Sequence, residues 1–160
     1  MNGIVIARHA LLDLLAPTAS VAPKNSTIPT LGNVLLSASR GKFQLSASDS
    51  KIWVSAWGSA DGDILPLTTS AQKLMAVAKS LPPDATLDIS HDEQWLKVKS
   101  GRSRFRLGTL PAQDYPELEA DTSASTHVAV ESIGGPGDLA RLIEAAAYAM
   151  AVDDVRFYLN

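Results

Sequence analysis

The chain has 160 residues, of which 46% are hydrophobic and 19% are charged, and this composition is typical of a folded protein and argues against disorder. Its formal net charge of -3 argues against a generally basic nucleic-acid coat protein, so any contact with DNA must be local or loose. The absence of cysteine excludes disulfides and thiolate metal sites, and it agrees with a reducing cytoplasm.

Neither terminus nor interior carries a membrane signal. The N-terminal sequence lacks the charged region and long apolar run of a signal peptide. No stretch approaches the roughly 18 consecutive apolar residues that a transmembrane helix needs.

Three segments of the chain each begin with an apolar strand that leads into a helix. The strands are predicted at residues 3–7, 64–68 and 127–131, and the helices at about residues 8–16, 70–81 and 138–150. Ser70 and Asp138 are good N-caps for the second and third helices. Pro17 is predicted to end the first helix, and the prolines at 82 and 83 to end the second.

Three further strands follow each of the first two helices. They are predicted at residues 33–38, 43–47, 52–57, 86–90, 95–99 and 102–107, with turns at 39–42, 91–93 and 100–101. Another strand begins at 155–159. The sequence therefore predicts two complete strand-helix-three-strand units of about 60 residues each and the start of a third, a repeat that favours an array or a pseudo-symmetric ring.

An acidic stretch at residues 112–125, which contains proline, serine and threonine and has no periodicity, is interpreted as a linker. It divides the chain into a first domain at 1–123, made of two units, and the truncated start of a second domain at 124–160.

The strongest charge feature is a cluster of five cations within ten residues, and no acidic residue occurs between positions 95 and 113: Lys97, Lys99, Arg102, Arg104 and Arg106. Strand alternation predicts that the three arginines share one face and that the other face holds Ser103, Phe105 and Leu107. One interpretation is an exposed edge strand whose charges prevent it from pairing with the sheet edges of other molecules. A nucleic-acid patch is the other, although no exposed aromatic side chain is predicted to interleave it.

An acyl-transfer enzyme is a remote alternative. Ser70 and Lys73 match the Ser-x-x-Lys motif of penicillin-binding proteins and serine beta-lactamases, and residues 48–50 and 99–101 resemble its companion motifs. Their order along the chain is wrong for that fold, however, and an export signal is lacking. The three histidines are scattered, so neither a metal site nor a cofactor is expected.

Two stretches resemble the bacterial DNA polymerase III beta subunit, the sliding clamp: KSGRSRFRLGTLPAQDYPEL at 99–118 and LIEAAAYAMAVDDVRFYLN at 142–160. STIPTLGNVLLSAS at 26–39 is a weaker match. The chain departs from the family at SDSKIWVSAW, residues 48–57, which is less acidic than usual, and at ESIGGPGDL, which is longer.

The resemblance implies an α+β DNA clamp fold, in which each domain consists of two repeat units with helices packed on antiparallel sheets. Two three-domain protomers would close head to tail into a homodimeric ring around duplex DNA, without reading its sequence. Such a processivity factor tethers the replicative polymerase in the cytoplasm and is not an enzyme. Its partners would be duplex DNA, the DNA polymerase III catalytic subunit, the clamp loader and the second protomer.

The resemblance also assigns residues to sites. The ring interface would be formed by Lys73, Arg102, Arg104, Phe105 and Leu107. The DNA-binding residues would be Lys24, Asn25, Asp153, Arg156, Phe157 and Tyr158, with Asp153 standing where an amide is more usual. The edge of the partner-peptide groove would be formed by Arg156 and Leu159. If the helices line a hole, phosphates would also be faced by Arg8, Lys79 and Arg141.

Two non-enzyme hypotheses follow. The chain is part of a ring protomer, or it is a short clamp-like protein that binds full clamps or their partners through residues 102–107. Reading the gene past Asn160 separates them, because an in-frame continuation supports the first and a stop codon the second.

The 160-residue chain by itself is expected not to load stably on DNA, because one domain and the start of another cannot close a ring. Incubation with a nicked circular plasmid followed by gel filtration measures this. Retention on the circle that is lost on linearisation would contradict the expectation.

Overall fold

The computed structural model describes residues 3–24, 28–116 and 136–149, with the side chains of 136–139 excepted. The chain divides into two compact units, residues 1–118 and residues 119–160. Within the described residues, no helix is both long and apolar enough to cross a membrane.

The first unit repeats one order of elements twice, a strand, a helix and three strands. In chain order the elements are β1 (Gly3–Ala7), α1 (Arg8–Val21), β2 (Asn33–Ser39), β3 (Lys42–Ser48), β4 (Trp53–Ser59), β5 (Asp61–Ser70), α2 (Ala71–Ser80), β6 (Thr86–Asp92), β7 (Trp95–Ser100) and β8 (Ser103–Pro111). Short 3-10 turns occupy Pro29–Gly32 and Ala112–Asp114. The two predicted repeat units are therefore confirmed. In the second unit, α3 spans Pro136–Ala147.

All strand pairs are antiparallel, in the order β1-β6-β7-β8-β5-β2-β3-β4. β5 is shared between two groups of strands. Along one edge it pairs with β2, and along the other it pairs first with β1 at residues 61–63 and then with β8 at residues 67–69. This strand therefore joins the two repeat units through backbone hydrogen bonds.

The core lies between the helices and the sheets. α1 and α2 pack against each other, and α1 also packs on β3 and β4. Leu11 and Leu15 of α1 and Leu74 of α2 are fully buried, and each such side chain contributes about 1.5–3 kcal/mol relative to exposure. The inward-facing strand residues alternate with exposed ones, as in β1, where Ile4 and Ile6 are buried.

The prediction that Pro17 ends the first helix is wrong, because α1 continues to Val21 with Pro17 inside it. Thr18 and Ala19, beyond the proline, are buried in the core. The Thr18 hydroxyl donates to the carbonyl of Leu14 over 2.9 Å, while Pro17 itself is exposed. Core packing of the last turn therefore outweighs the loss of one intrahelical hydrogen bond.

Most other predicted boundaries hold within one or two residues, with three exceptions. β5 begins at Asp61, three residues before its predicted start, β8 continues to Pro111, four residues past its predicted end, and α3 ends at Ala147, three residues before its predicted end. Ser70 caps α2 as predicted, since its hydroxyl accepts from the backbone N–H of Lys73 at 3.4 Å. Asp138 lies inside α3 and is not its N-cap. The strands predicted at 127–131 and 155–159 lie outside the described residues.

Tyr115 fastens residues 112–116, the start of the predicted linker, onto the first unit. Its side chain is 3% exposed. The hydroxyl accepts from the Ser48 N–H at 3.0 Å and donates to the Asn33 carbonyl at 3.2 Å. Its ring meets that of Trp53 edge-on at 5.7 Å. Burial raises the pKa of the Tyr115 hydroxyl, so that it stays protonated and can donate at neutral pH.

Gly62 lies where the backbone of β5 closely approaches that of β1. Its φ is +103°, and a Cβ at this position would lie 2.4 Å from the carbonyl oxygen of Gly3. Only glycine fits both the left-handed conformation and this approach. The junction of β5 with β1 therefore depends on a residue without a side chain.

Replacing Gly62 with alanine is expected to lower the free energy of unfolding by about 2 kcal/mol or more, through φ strain and the clash with Gly3. Gly108→Ala is the matched control: no atom lies within 4 Å of its added Cβ. Urea titration followed by circular dichroism measures both variants, and equal midpoints would contradict the account.

Tyr115→Phe removes one hydroxyl and takes this partner from a buried N–H and a half-buried carbonyl, so a loss of about 1–2 kcal/mol is expected. Tyr148→Phe is the matched control, because it makes the same substitution at a residue that is 91% exposed, where no change in stability is expected. Thermal unfolding compares the two. If Tyr115→Phe matches the parent chain, the hydroxyl does not fasten the segment.

Candidate interaction edge

The first part of β8 has one open backbone edge. Residues 103–108 pair with β7, and only residues 109–111 also pair with β5 on the other side. Within the described residues, no strand pairs with the second edge of 103–108, although the Gly108 carbonyl at its end accepts a hydrogen bond from the Thr69 hydroxyl at 3.0 Å. An open edge of this kind offers backbone hydrogen bonds to a strand of another molecule. We call residues 103–108 the β8 edge.

Four cations stand on the outer face of β7 and β8. Lys97 lies opposite Arg106, and Lys99 lies opposite Arg104, and residues that face each other across an antiparallel pair project to the same side of the sheet. Like charges placed opposite each other are destabilising unless a counter-charge approaches. This arrangement therefore favours an anionic partner.

One of these cations has an acidic neighbour in the chain. Lys97 pairs with Asp92, and the hydrogen bond from this lysine lowers the pKa of the Asp92 carboxyl. Among the described residues, Arg102 and Arg104 have no carboxylate within salt-bridge distance. Their charge is therefore available to a group outside the described part of the chain.

The interface residues implied by the resemblance differ in their exposure. Arg104 is exposed on the strand, and Arg102 is exposed in the turn that precedes it. Phe105 is partly buried against the core and keeps some accessible surface. Leu107 is 6% exposed and belongs to the core of its own unit. The accessible apolar surface at the β8 edge therefore comes from Phe105.

Lys73 lies in the first turn of α2 and is exposed. Thr69 of β5 pairs with Thr109 of β8, and α2 begins two residues after Thr69. The start of α2 is thus fixed beside the end of β8, which brings Lys73 to the same region of the surface.

The expectation that no exposed aromatic accompanies the basic strands is wrong. Trp95 of β7 is 39% exposed, and the Arg106 guanidinium lies 4.5 Å from its ring centroid. Trp95 stands opposite Gly108, which has no side chain to crowd the ring. Gly108 is the residue from which this stacking could be predicted, but only when the register of β7 against β8 is known.

The Ser-x-x-Lys enzyme finds no support in the geometry. The Ser70 hydroxyl serves as the cap of α2. Lys99, from the proposed companion motif, lies opposite Arg104 of β8. Ser70 follows Thr69, which pairs with Thr109, five positions further along β8. At about 3.3 Å per residue, this separates the two motifs by roughly 17 Å. Among the described residues, no group of three or more histidines and carboxylates could hold a metal ion.

Arg8, expected to face phosphates, instead completes the end of α2. Its Nε donates to the Ala78 carbonyl at 2.8 Å, and its terminal nitrogen lies 3.5 Å from the Lys79 carbonyl. These carbonyls belong to the last turn of α2, where a cation is favourable. Lys79 and Arg141 are exposed on α2 and α3.

The implied DNA and peptide residues are largely outside the described residues. Lys24 is exposed just after α1. Beyond the described ranges lie Asn25, Asp153, Arg156, Phe157, Tyr158 and Leu159.

Comparison with known proteins gives one consistent answer. A family profile described as DNA polymerase III beta subunit, N-terminal domain, matches residues 2–119. The beta sliding clamp of Pseudomonas putida is 42% identical over 157 residues, and that of Escherichia coli is 34% identical over 157 residues. These matches cover 97% of this chain and 41% and 42% of the two relatives.

Solved structures agree with the sequence matches. A sliding clamp (DNA polymerase III subunit beta) from Pseudomonas aeruginosa bound to griselimycin superposes with a TM-score of 0.87 at 39% identity, covering 99% of this chain and 42% of that one. The Caulobacter crescentus clamp gives a TM-score of 0.83 at 33% identity and covers 100% of this chain and 43% of that one. The chain thus spans about 41% of the Pseudomonas putida relative that it matches. With the doubled strand-helix-three-strand order of its first unit, this chain belongs to the DNA polymerase III beta subunit family and carries its N-terminal domain.

Proposed function

We propose that the chain is the N-terminal part of a DNA sliding clamp, a non-catalytic processivity factor that encircles duplex DNA and tethers the replicative polymerase in the bacterial cytoplasm. The observation that carries the proposal is the β8 edge, which pairs with no second strand within the described residues and is flanked by Arg102 and Arg104, neither of which has a carboxylate within salt-bridge distance there. A ring built from several domains needs such an edge to continue its sheets from one domain into the next.

The β8 edge would take an acidic strand edge of the second protomer in a head-to-tail dimer. Arg102, Arg104 and Lys73 would form ion pairs across this contact, and Phe105, with Leu107 behind it, would supply the apolar part. Exposed ion pairs of this kind contribute about 0–1 kcal/mol each, so they set orientation and association rate more than affinity. The apolar contact at Phe105 therefore governs how long the ring stays closed.

Contact with DNA would be made through phosphates and would be independent of sequence. Lys24 and Asn25 in the loop after α1 would meet the backbone, together with a second group formed by Asp153, Arg156, Phe157 and Tyr158. Because the whole chain carries a net charge of -3, retention on DNA would come from the closed ring and not from affinity.

Replication partners would dock elsewhere on the same protein. The DNA polymerase III catalytic subunit and the clamp loader would use a peptide groove whose edge includes Arg156 and Leu159. No cofactor is needed for either role.

A short protein that binds full clamps through the same β8 edge is the alternative function. The edge chemistry is the same in both cases, so the coding sequence after Asn160 separates them. An in-frame continuation supports the ring protomer, and a stop codon supports the clamp-binding protein.

The paired reversal Arg102→Glu with Arg104→Glu tests the edge directly. The 160-residue chain is expected to compete with a protomer of the Pseudomonas putida clamp for the acidic edge when that ring opens, and the double variant to weaken this association by about tenfold, through like-charge repulsion with an acidic partner. Lys42→Glu combined with Lys51→Glu, at exposed positions outside the edge, is the charge-matched control. Native mass spectrometry at several protein ratios gives the affinities.

Salt dependence gives a second readout of the same experiment. The difference between the double variant and the parent chain should shrink as ionic strength rises, because exposed charges are screened. If the Lys42→Glu, Lys51→Glu control weakens association as much as the double reversal, the effect is one of net charge and the edge assignment fails.

A further inference from the structure

A groove of about 1080 Å³ opens on the surface of the first unit beside β5, β7 and β8. We call it the outer groove. Its apolar lining includes Trp53, Leu65, Trp95, Leu110, Pro111 and Tyr115. The outer groove adjoins the β8 edge at Gly108, but the edge offers backbone groups whereas the groove offers side chains on the sheet face.

Three large apolar side chains of the outer groove remain accessible. Leu65 is 70% exposed, and Leu110 and Trp95 are each 39% exposed. Single exposed apolar residues are ordinary on protein surfaces, but several that line one concavity mark a binding site. Tyr115 and Trp53 form a rigid wall through their edge-on ring contact, so the groove is preformed.

The cations of β8 lie on the same face of the strand as the β8 residues that line the outer groove. Alternation along the strand places Arg104, Arg106, Gly108 and Leu110 on one face. The first two of these residues are charged and the last two line the groove. Arg106 stands at the junction, with its guanidinium over the Trp95 ring. An apolar concavity and a cationic strip are thus continuous.

Gly108 keeps the groove open at this junction. It lines the groove, and a Cβ added to it would meet no atom within 4 Å. Its φ lies outside the left-handed region, since no positive value is recorded for it. A side chain at this position would therefore occupy the groove without disturbing the fold.

We propose that the outer groove binds a short extended peptide of a partner protein, with apolar side chains in the groove and carboxylates on the strip formed by Arg104 and Arg106, since Lys97 already pairs with Asp92. Charge complementarity selects this occupant. Glu93 is the one carboxylate among the residues that line the groove, and among the described residues no carboxylate lies within salt-bridge distance of Arg104 or Arg106. An apolar segment alone would leave both arginines without counter-charges, and a basic segment would be repelled by them. The site is additional to the peptide groove proposed at Arg156 and Leu159, and it is proposed for the chain outside a closed ring, where Arg104 is not engaged in the ring contact.

Two synthetic peptides labelled with fluorescein serve as probes, GVLVGDDD and its basic counterpart GVLVGKKK, each also made with the charged residues first. Fluorescence anisotropy is measured with the whole 160-residue chain. An acidic probe is expected to bind at least about tenfold more tightly than its basic counterpart, with a preference that declines as salt is added.

Two variants locate the binding. Gly108→Val fills the groove and should weaken the acidic probe by about tenfold, while thermal unfolding stays unchanged. Arg106→Glu should reverse the preference between the acidic and basic probes. Lys42→Glu is the charge control and Trp57→Phe the aromatic control, because Trp57 is exposed but lies outside the groove. Neither control should alter affinity.

Three results would overturn the proposal. The acidic and basic probes bind equally, the Gly108→Val variant binds the acidic probe as well as the parent chain does, or neither probe binds. A fourth is self-association in sedimentation velocity that Gly108→Val abolishes, since this would assign the groove to a second copy of the chain.

Discussion

Backbone pairing on both edges of β5 is the constraint on which the first unit depends. The strand gives one edge to β2 and divides the other between β1 and β8, so the two repeat units cannot separate without breaking it. The close approach of Gly62 to Gly3 allows β5 to pair with β1 at its start before it pairs with β8. Because β5 reaches β8 only at residues 109–111, the preceding part of β8 lacks this second strand neighbour. The same pairing therefore produces a closed core and an open, charged edge.

Much of this fold could be predicted from local patterns. Helical spacing and the Ser70 cap located α2, strand alternation located the buried face of β8, and the 60-residue repeat identified the doubled unit. These features depend on residues close together in the chain, where spacing and propensity determine conformation. The cluster of cations was also visible, because charge density needs no knowledge of the fold.

The features that sequence reasoning missed depend on contacts between distant residues. Core packing beyond Pro17 keeps this proline inside α1. Arg8 donates a hydrogen bond to the carbonyl of Ala78 at the end of α2, about seventy positions away. The exposure of Trp95 follows from its register with Gly108, and the burial of Tyr115 from hydrogen bonds to β2 and β3. Leu107 could be placed on the correct face, but its near-complete burial required the whole unit.

Hydrogen exchange at the β8 edge tests the central claim most directly. In the isolated chain, the amides of residues 103–108 that do not bond to β7 should exchange quickly, while those of β5 stay protected on both edges. Adding the Pseudomonas putida clamp should slow the first group and leave the second unchanged. Protection of the β8 edge already in the isolated monomer, or no slowing when the clamp is added, would contradict the account.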